Sequence, residues 1–311
     1  MIVTEPHLQE RQHPTMTQHI PHPKPPRLLP ITDADLPAVC QFYHQHLNPR
    51  IPVENWINAF SYDGHNGRNH PPNYGFMLTD GQTVVGAFGA IYSNQWIDGR
   101  WEPFCNHTSW VVRKAYRPWS RNLLEALLQQ DHWHATSFTT NPHVANICRK
   151  HQFSQLNDRV EVFFNTPHPF STPPITQNPS AFKTLLNPYV YQNYITHGHL
   201  PGIECVILGQ PQQCALVVYK KKIWKKLPAA ILLHCSDWEV FSHYRRPLGH
   251  FLLSHHGILT THVHTFQLPT PLTGTLSYRD TQPRLFLSRG TIKPHQLSFL
   301  YSEITALNLA L

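Results

Sequence analysis

Apolar residues along this chain fall into short runs, broken by segments whose apolar positions recur every three or four residues. Arg27 to Ile31 predicts a first strand. Thr32-Asp-Ala-Asp-Leu36 predicts a helix entry with Thr32 as the cap, continuing through Val39, Phe42 and Tyr43. Pro49 to Pro52 breaks that helix, and Val53 to Phe60 predicts a second. Residues 61–73 are rich in Gly, Asn, His and Pro and predict a loop. Tyr74 to Tyr92 is two apolar runs around Asp80-Gly81, a hairpin signal. Then come a strand at His107 to Val112, a turn at Arg113 to Arg121 and a helix at Asn122 to Gln130. A strand near Ala135 to Thr139 precedes a helix opened by Asn141 and closing at Phe153.

The order then begins again. Residues 166–178 are Pro-rich and predict a linker. A helical segment at Ala181 to Tyr194 leads to strands Ile203 to Leu208 and Cys214 to Tyr219. The run Lys220-Lys-Lys-Ile-Trp-Lys-Lys226 predicts a solvated hairpin tip before a strand at Leu227 to His234. A helix around Leu248 to Leu253, a strand at Ile258 to His264 and a closing strand at Leu297 to Ile304 complete the pattern. Asp237, after Ser236, has the position of a helix cap. The expectation is a disordered tail over 1–26, a first unit over 27–165, a linker over 166–179 and a second unit over 180–311. The strands are apolar enough for sheets covered on both faces.

The turn after Val112 carries the most chemical information. A turn between a strand and a helix start presents free backbone N–H groups and the positive end of a helix dipole, which suits a pyrophosphate. This stretch resembles the GNAT family of acyl-CoA-dependent acyltransferases. The family's Arg/Gln-x-x-Gly-x-Gly/Ala fingerprint falls on Arg117-Pro118-Trp119-Ser120-Arg121-Asn122; the Arg matches, while Ser120 and Asn122 replace the small positions. The family's second element, Asn-x-x-Ala-x-x-Leu-Tyr-x-x-x-Gly-Phe, falls on Asn141 to Phe153, with Val144, Ile147, Cys148 and Gln152 at the Ala, Leu, Tyr and Gly places. The resemblance covers about residues 27–165, and the repeated order extends it to a more degenerate second half, where Tyr244-Arg-Arg-Pro-Leu-Gly249 is nearest to the fingerprint. It implies an α/β (α+β) protein of two GNAT-like units, each a mixed, mostly antiparallel sheet flanked by helices.

The resemblance also implies a co-substrate, acetyl-CoA or another acyl-CoA, and a small-molecule acceptor, an amine or hydroxyl of a metabolite or sugar, entering over the 61–73 loop. Its diphosphate would lie along Val111, Val112, Arg113, Arg117, Pro118, Trp119, Ser120, Arg121 and Asn122, held by amides from about Tyr116 to Asn122, with Asn141 opposite. Arg117 and Arg121 would add charge-assisted bonds. His107 and Ser109 occupy the strand where the family often carries its base; an imidazole has a suitable reference pKa of ~6.5. A hydrogen-bonded sheet histidine is the equal alternative. Cys148 stands where the family has its acid, with Tyr116 and Tyr92 as substitutes. The replaced Gly and Tyr positions leave a second alternative, a catalytically inactive binding or assembly module with the same fold.

Composition narrows the classes further. The 311 residues include 24 His and 29 Pro, with 14% charged residues and a formal net charge of +7. A mildly basic protein favours anionic ligands without choosing among them. The six cysteines form no CxxC pair, which fits buried thiols in a cytoplasmic protein. Three close His pairs, in Asp131-His-Trp-His134, His197-Gly-His199 and His262-Val-His264, are what 24 His produce by chance, and no metal is expected. Nothing resembles a nucleic-acid-binding motif, a membrane span or a signal peptide.

Overall fold

The computed structural model describes residues 24–61, 73–130, 134–138, 141–168 and 175–309. Residues 1–23 of the expected tail, 62–72 of the expected loop, 131–133 of the Asp131–His134 stretch, Thr139 of the expected strand and 169–174 of the expected linker lie outside these. The first half runs β1 (Arg27–Pro30), α1 (Leu36–His46), α2 (Val53–Ser61), β2 (Gly75–Thr79), β3 (Val84–Ile97) and β4 (Arg100–Val112). A 3-10 turn over Lys114–Trp119 passes directly into α3 (Ser120–Leu128). Then follow β5 (His134–Ser137), α4 (Pro142–Lys150), β6 (Ser154–Gln155) and β7 (Arg159–Phe164). The second half runs β8 (Ile175–Thr176), α5 (Pro179–Leu185), α6 (Pro188–His197), β9 (Ile203–Gln210), β10 (Gln213–Trp224) and β11 (Leu227–Cys235). It closes with α7 (Trp238–His256), β12 (Thr260–His264), β13 (Leu276–Arg279), β14 (Leu285–Leu287) and α8 (Glu303–Ala306).

Two seven-stranded sheets result. Their orders are β1-β2-β3-β4-β5-β14-β6 and β8-β9-β10-β11-β12-β7-β13. Position by position they match: the fourth and fifth strands pair in parallel in each, and the other pairings are antiparallel. The sixth place, however, is exchanged. β14, from late in the chain, fills it in the first sheet, and β7, from the first half, fills it in the second. The two sheets therefore do not divide the chain at 166–179 as the sequence pattern implied. β7 is anchored in its new sheet by Asn165, which bonds Ile258 and Leu259 through side chain and backbone and accepts from the Thr261 hydroxyl at 2.9 Å. Gly249 of α7 permits this approach, since a Cβ there would sit 3.1 Å from the Asn165 Oδ1.

A core shared by both sheets locks the exchange. Phe104, Phe138 and Phe286 join Ile207, Leu216, Leu233, Phe266 and Phe299 in one buried cluster. Phe138, just after β5, and Phe266, just after β12, stack with ring centroids 6.2 Å apart, and Phe299 meets both edge-on. Each buried aromatic contributes roughly 1.5–3 kcal/mol of burial energy.

Several sequence expectations change locally. Thr32 does not cap α1; its amide and hydroxyl both donate to the Asp35 carboxylate, at 3.0 and 2.6 Å, and the helix starts at Leu36. The 181–194 helix is two helices, because Asn187 caps a new start at Pro188. The 248–253 helix extends over Trp238–His256 in spite of Pro247, so Tyr244 to Gly249 lie inside a helix and cannot act as a phosphate turn. The closing strand at 297–304 is irregular chain followed by α8. The lysine run ends in the expected solvated hairpin tip, with Lys221, Ile223, Lys225 and Lys226 exposed, and only its first residue departs from that reading. Only Lys225 and Lys226 form the turn, with positive φ, while Trp224 stacks on Tyr278 at 5.2 Å. Lys220 is buried within β10 and donates through Nζ to the carbonyls of Ile304 and Leu309. Burial pushes its pKa down to about 8.

Two outcomes follow. A fragment ending at residue 165 loses β14 from between β5 and β6 and leaves β7 without a sheet; circular dichroism and chemical denaturation should show no cooperative transition, and a native-like transition would refute the exchange as a folding requirement. Acid should also destabilise the whole protein. Burial lowers His107, His234 and His262 from 6.5 to about 4 and His197 to about 3. A group with a depressed folded pKa keeps its stability above the unfolded value and loses it as pH falls towards the folded one. Stability should therefore drop between pH 6.5 and about 4, by roughly 1–2 kcal/mol for each fully buried imidazole at pH 5. A flat melting temperature over that range would contradict the neutral buried state.

Candidate functional site

β4 carries the site, because two features detach it from its neighbours. The first is a bulge. Ala87 pairs with Val111 and Gly89 with Thr108, so Ser109 and Trp110 together face the single residue Phe88. Ser109 takes φ +59°, a left-handed conformation rare outside glycine. A bulge leaves one residue out of the ladder and re-aims its backbone groups. The second feature is a splay. β4 pairs with β5 only from Phe104 to Asn106, against His134 to Thr136. From His107 onward β4 and β5 diverge.

Two cavities occupy this opening. One, about 260 Å³, is lined by Trp56, Phe88, His107, Thr108, Ser109 and Trp110, with Asn141 and Val144 opposite. The other, about 460 Å³, is lined by Trp110, Val111, Val112, Arg117 and Ser120 on one side and His143, Val144 and Ile147 of α4 on the other. Trp110 and Val144 line both, so the two cavities adjoin in a trough between β4 and α4. Trp110 is held flat on Phe88, ring centroids 4.5 Å apart at 11°. The C-terminal segment closes the inner end with Leu307 and Leu309, the stretch that Lys220 grips from the second sheet.

At the outer end stands the basic corner. Arg113, Lys114, Arg117 and Pro118 are exposed there, and the 3-10 turn has no side-chain cap at its start. Among the described residues Arg117 forms no ion pair, whereas Arg121 is held by Glu125 at 3.0 Å. The expected cradle of amides from Tyr116 to Asn122 is altered. Tyr116 donates to Arg113 and Ser120 to Arg117, and Pro118 has no N–H. Because the 3-10 turn runs without a break into α3, amides beyond Trp119 are inside a helix. The donors at this corner are those that open the turn, Lys114 and Ala115, which have no preceding turn to accept them. Trp119 packs towards the core beside Tyr116, and Asn122 is exposed on α3.

The inner candidates separate clearly. His107 is 2% exposed and lines the trough, wedged between the Phe88 and Phe153 rings at 5.5 and 5.7 Å. Its Nδ1 is buried without a hydrogen-bond partner. Burial pushes its pKa down to about 4, so the ring is neutral at physiological pH and holds a lone pair or proton ready. Ser109 lines the same wall, with its hydroxyl 3.1 Å from that of Thr108. Asn141 lines the far wall while its side chain caps α4, accepting from the Val144 amide at 2.9 Å. Cys148 goes elsewhere. It lies in a core cluster with Ala135, Ala145, Phe153 and Leu285, and burial raises its thiol pKa to about 11. Tyr116 sits on the helical corner and lines neither cavity, and the Tyr92 hydroxyl is occupied by Asn73 and Gln130 at 2.9 and 3.0 Å. None of the three can serve the trough as an acid.

Sequence reasoning missed Trp56 and Tyr43. The Trp56 Nε1 and the Tyr43 hydroxyl are both buried without partners, and Trp56 lines the trough. The two rings pack 5.3 Å apart. Gly89 makes room for Phe60 and Tyr43, since a Cβ there would fall 2.6 Å from the Phe60 ring and 3.1 Å from the Tyr43 hydroxyl. Tyr43 and Trp56 both belong to the core beneath the trough, and of the two only Trp56 lines the cavity.

The order of fourth strand, Arg-containing turn, α3, fifth strand and Asn141-capped α4 is the arrangement that the sequence resemblance implied; the bulge and the splay were not legible in it. The chain has the GNAT fold. Its shape matches the crystal structure of a GCN5-related N-acetyltransferase from Anabaena variabilis, with TM-score 0.54, 12% identity, 84% of this chain and 72% of that one covered. A conserved protein from Enterococcus faecalis described as a probable N-acyltransferase matches equally, with TM-score 0.54, 12% identity and the same coverage. A GCN5-related N-acetyltransferase from Kribbella flavida gives 0.52 and 15% identity over 84% and 71%. No protein-family model matches the sequence, and no curated protein matches it significantly. The GNAT architecture is thus kept where sequence similarity is low. Among the described residues no three His, Cys, Asp or Glu side chains converge as a metal site would require. No helix among them is long and apolar enough to cross a membrane.

The isolated imidazole gives a direct test. A buried polar atom without a partner costs stability, so His107→Phe should leave the folded state within about 1 kcal/mol of the parent or stabilise it. A loss above about 2 kcal/mol in chemical denaturation would show His107 to be a structural sheet residue.

Proposed function

We propose that the trough of the first GNAT unit binds an acyl-CoA and that the protein transfers its acyl group, acetyl or longer, to an amine or hydroxyl of a small metabolite or sugar. The observation that carries this is the pair of adjoining cavities along β4. It leads from a basic, uncapped helical corner to a bulge beside a buried, neutral histidine. The diphosphate fits the corner, with Arg117 as its free cation and the Lys114 and Ala115 amides as donors. The pantetheine arm fits between β4 and α4, over the flat face of Trp110. The thioester then lies beside the bulge, where a backbone N–H released from the ladder can polarise its carbonyl.

Chemically, the acceptor nitrogen or oxygen adds to the thioester carbon, the C–S bond breaks, and one proton moves from the acceptor to the departing thiolate. His107, neutral and with an unpartnered Nδ1, is suited to accept that proton as charge develops. A pKa of about 4 makes it a weak base, so its help depends on proton transfer late in the addition. No tyrosine or cysteine among the expected acids reaches the trough, and the thiolate would take its proton from His107 or from water. That same lack of a side-chain acid is the observation favouring the other reading, a GNAT module that binds acyl-CoA without turnover.

Thermal shift with acetyl-CoA, myristoyl-CoA and free CoA distinguishes these. Binding should stabilise the protein by about 2.7 kcal/mol at a hundredfold excess over Kd. Arg117→Ala should weaken binding at least tenfold without lowering the unliganded melting temperature. No shift with any of these ligands would overturn the proposal. A shift with no thiol release across an acceptor panel would identify the binding module. His107→Phe should reduce thiol release by two orders of magnitude or more while retaining binding.

A further inference from the structure

The second sheet repeats the splay of the first, and its opening holds a different kind of site. β11 pairs in parallel with β12 only from Ala229 to Ile231, against Thr260 to His262, and the strands then part. A cavity of about 250 Å³ lies at this opening. Its chemistry is unlike that of the first trough. Where the first sheet leads into an uncapped turn, β11 leads into a helix whose opening amides are taken. The Asp237 carboxylate accepts from Glu239 and Val240 at 2.9 and 3.0 Å. A diphosphate would meet a carboxylate there instead of free N–H groups. A second carboxylate, Asp98, lines the rim and accepts from Gln296 at 2.7 Å.

Aromatic rings form much of the wall. Trp96 and Tyr189 stack at 3.9 Å and 5°, Trp101 meets both edge-on, and Trp238 adds a ring from the start of α7. Trp96 and Trp101 come from the first sheet and the other two from the second half, so the pocket exists only in the assembled fold. Two polar atoms in its lining have no partner. Gln267 is 1% exposed; its Nε2 donates to the Leu233 carbonyl at 2.9 Å, which fixes the amide and leaves Oε1 buried and unpaired. The His234 Nε2 is likewise buried without a partner. An unpaired buried acceptor costs free energy that a ligand donor recovers.

We propose that this opening binds a small, uncharged planar ligand that lies against the tryptophan and tyrosine rings and donates an N–H hydrogen bond to the Gln267 Oε1, with His234 Nε2 as the second polar contact. The flanking carboxylates exclude anions, so the site is chemically separate from an acyl-CoA trough. It does not depend on the first unit's being catalytic.

Benzamide and benzoate, planar rings of equal size, supply the test on the full chain, read by tryptophan fluorescence and saturation-transfer NMR. Benzamide should bind saturably and benzoate at least tenfold more weakly. Gln267→Met should weaken benzamide about tenfold, the value of one buried hydrogen bond. Tyr189→Leu, at an exposed rim position that the fold tolerates, should weaken it at least fivefold. Arg117→Ala and saturating acetyl-CoA should leave benzamide binding unchanged. The proposal is overturned by an absence of saturable benzamide binding, by equal benzoate affinity, by an unaltered Tyr189→Leu, or by competition with acetyl-CoA.

Discussion

The reciprocal exchange of β7 and β14 is the constraint on which the rest of this structure depends. Each strand supplies the sixth place of the sheet that the other half of the chain begins. Without β14, β6 has no described partner in its sheet and β5 is left with β4 alone; without β7, β12 and β13 have nothing between them. Unpaired ladder groups inside a protein are costly, so neither sheet is complete until both halves have folded. The shared aromatic core around Phe138, Phe266 and Phe299 then becomes buried from both sides. Lys220 reinforces the linkage from the second sheet by holding the carbonyls of Ile304 and Leu309, which places Leu307 and Leu309 at the inner end of the first sheet's trough.

Within that frame the two parallel pairs have diverged. Both sheets part after three residue pairs, because a parallel neighbour reached through a crossover helix need not follow its partner to the end. In the first sheet the gap is widened by the bulge at Ser109, bordered by a helical corner without a side-chain cap, and edged with arginine and lysine. In the second the helix is capped by Asp237 and the opening is covered by aromatic rings from the first sheet's hairpin and from α6. One backbone plan thus carries a trough edged with arginine and lysine in one place and a ring-lined pocket flanked by carboxylates in the other. The difference comes from a few side chains at strand ends. The described histidines follow the same logic: His107 and His234 end up buried and neutral beside the two openings, while others serve as ordinary sheet or surface residues.

By itself the sequence determined the local elements and their repeated order. Short apolar runs set the strands of the long hairpins β2–β3 and β9–β10, Asn141 set the start of α4, and Asp237 that of α7, because these depend on neighbours within a few residues. Arg117 at the corner and His107 on the fourth strand were legible for the same reason. Tertiary structure decided what depends on residues far apart. Nothing local tells β7 to leave its own half, nor marks the three residues of β14 as a central strand. The bulge at Ser109 carries no glycine to announce it. The lysine run is a solvated tip as its local charge implied, but nothing local marks Lys220 as its buried member, because the carbonyl partners of Lys220 lie some eighty residues on. Cys148 looked catalytic by alignment, yet its side chain turns into the core that β14 completes through Leu285. Register and strand exchange are set by the summed burial of both halves, and no short window of sequence contains that sum.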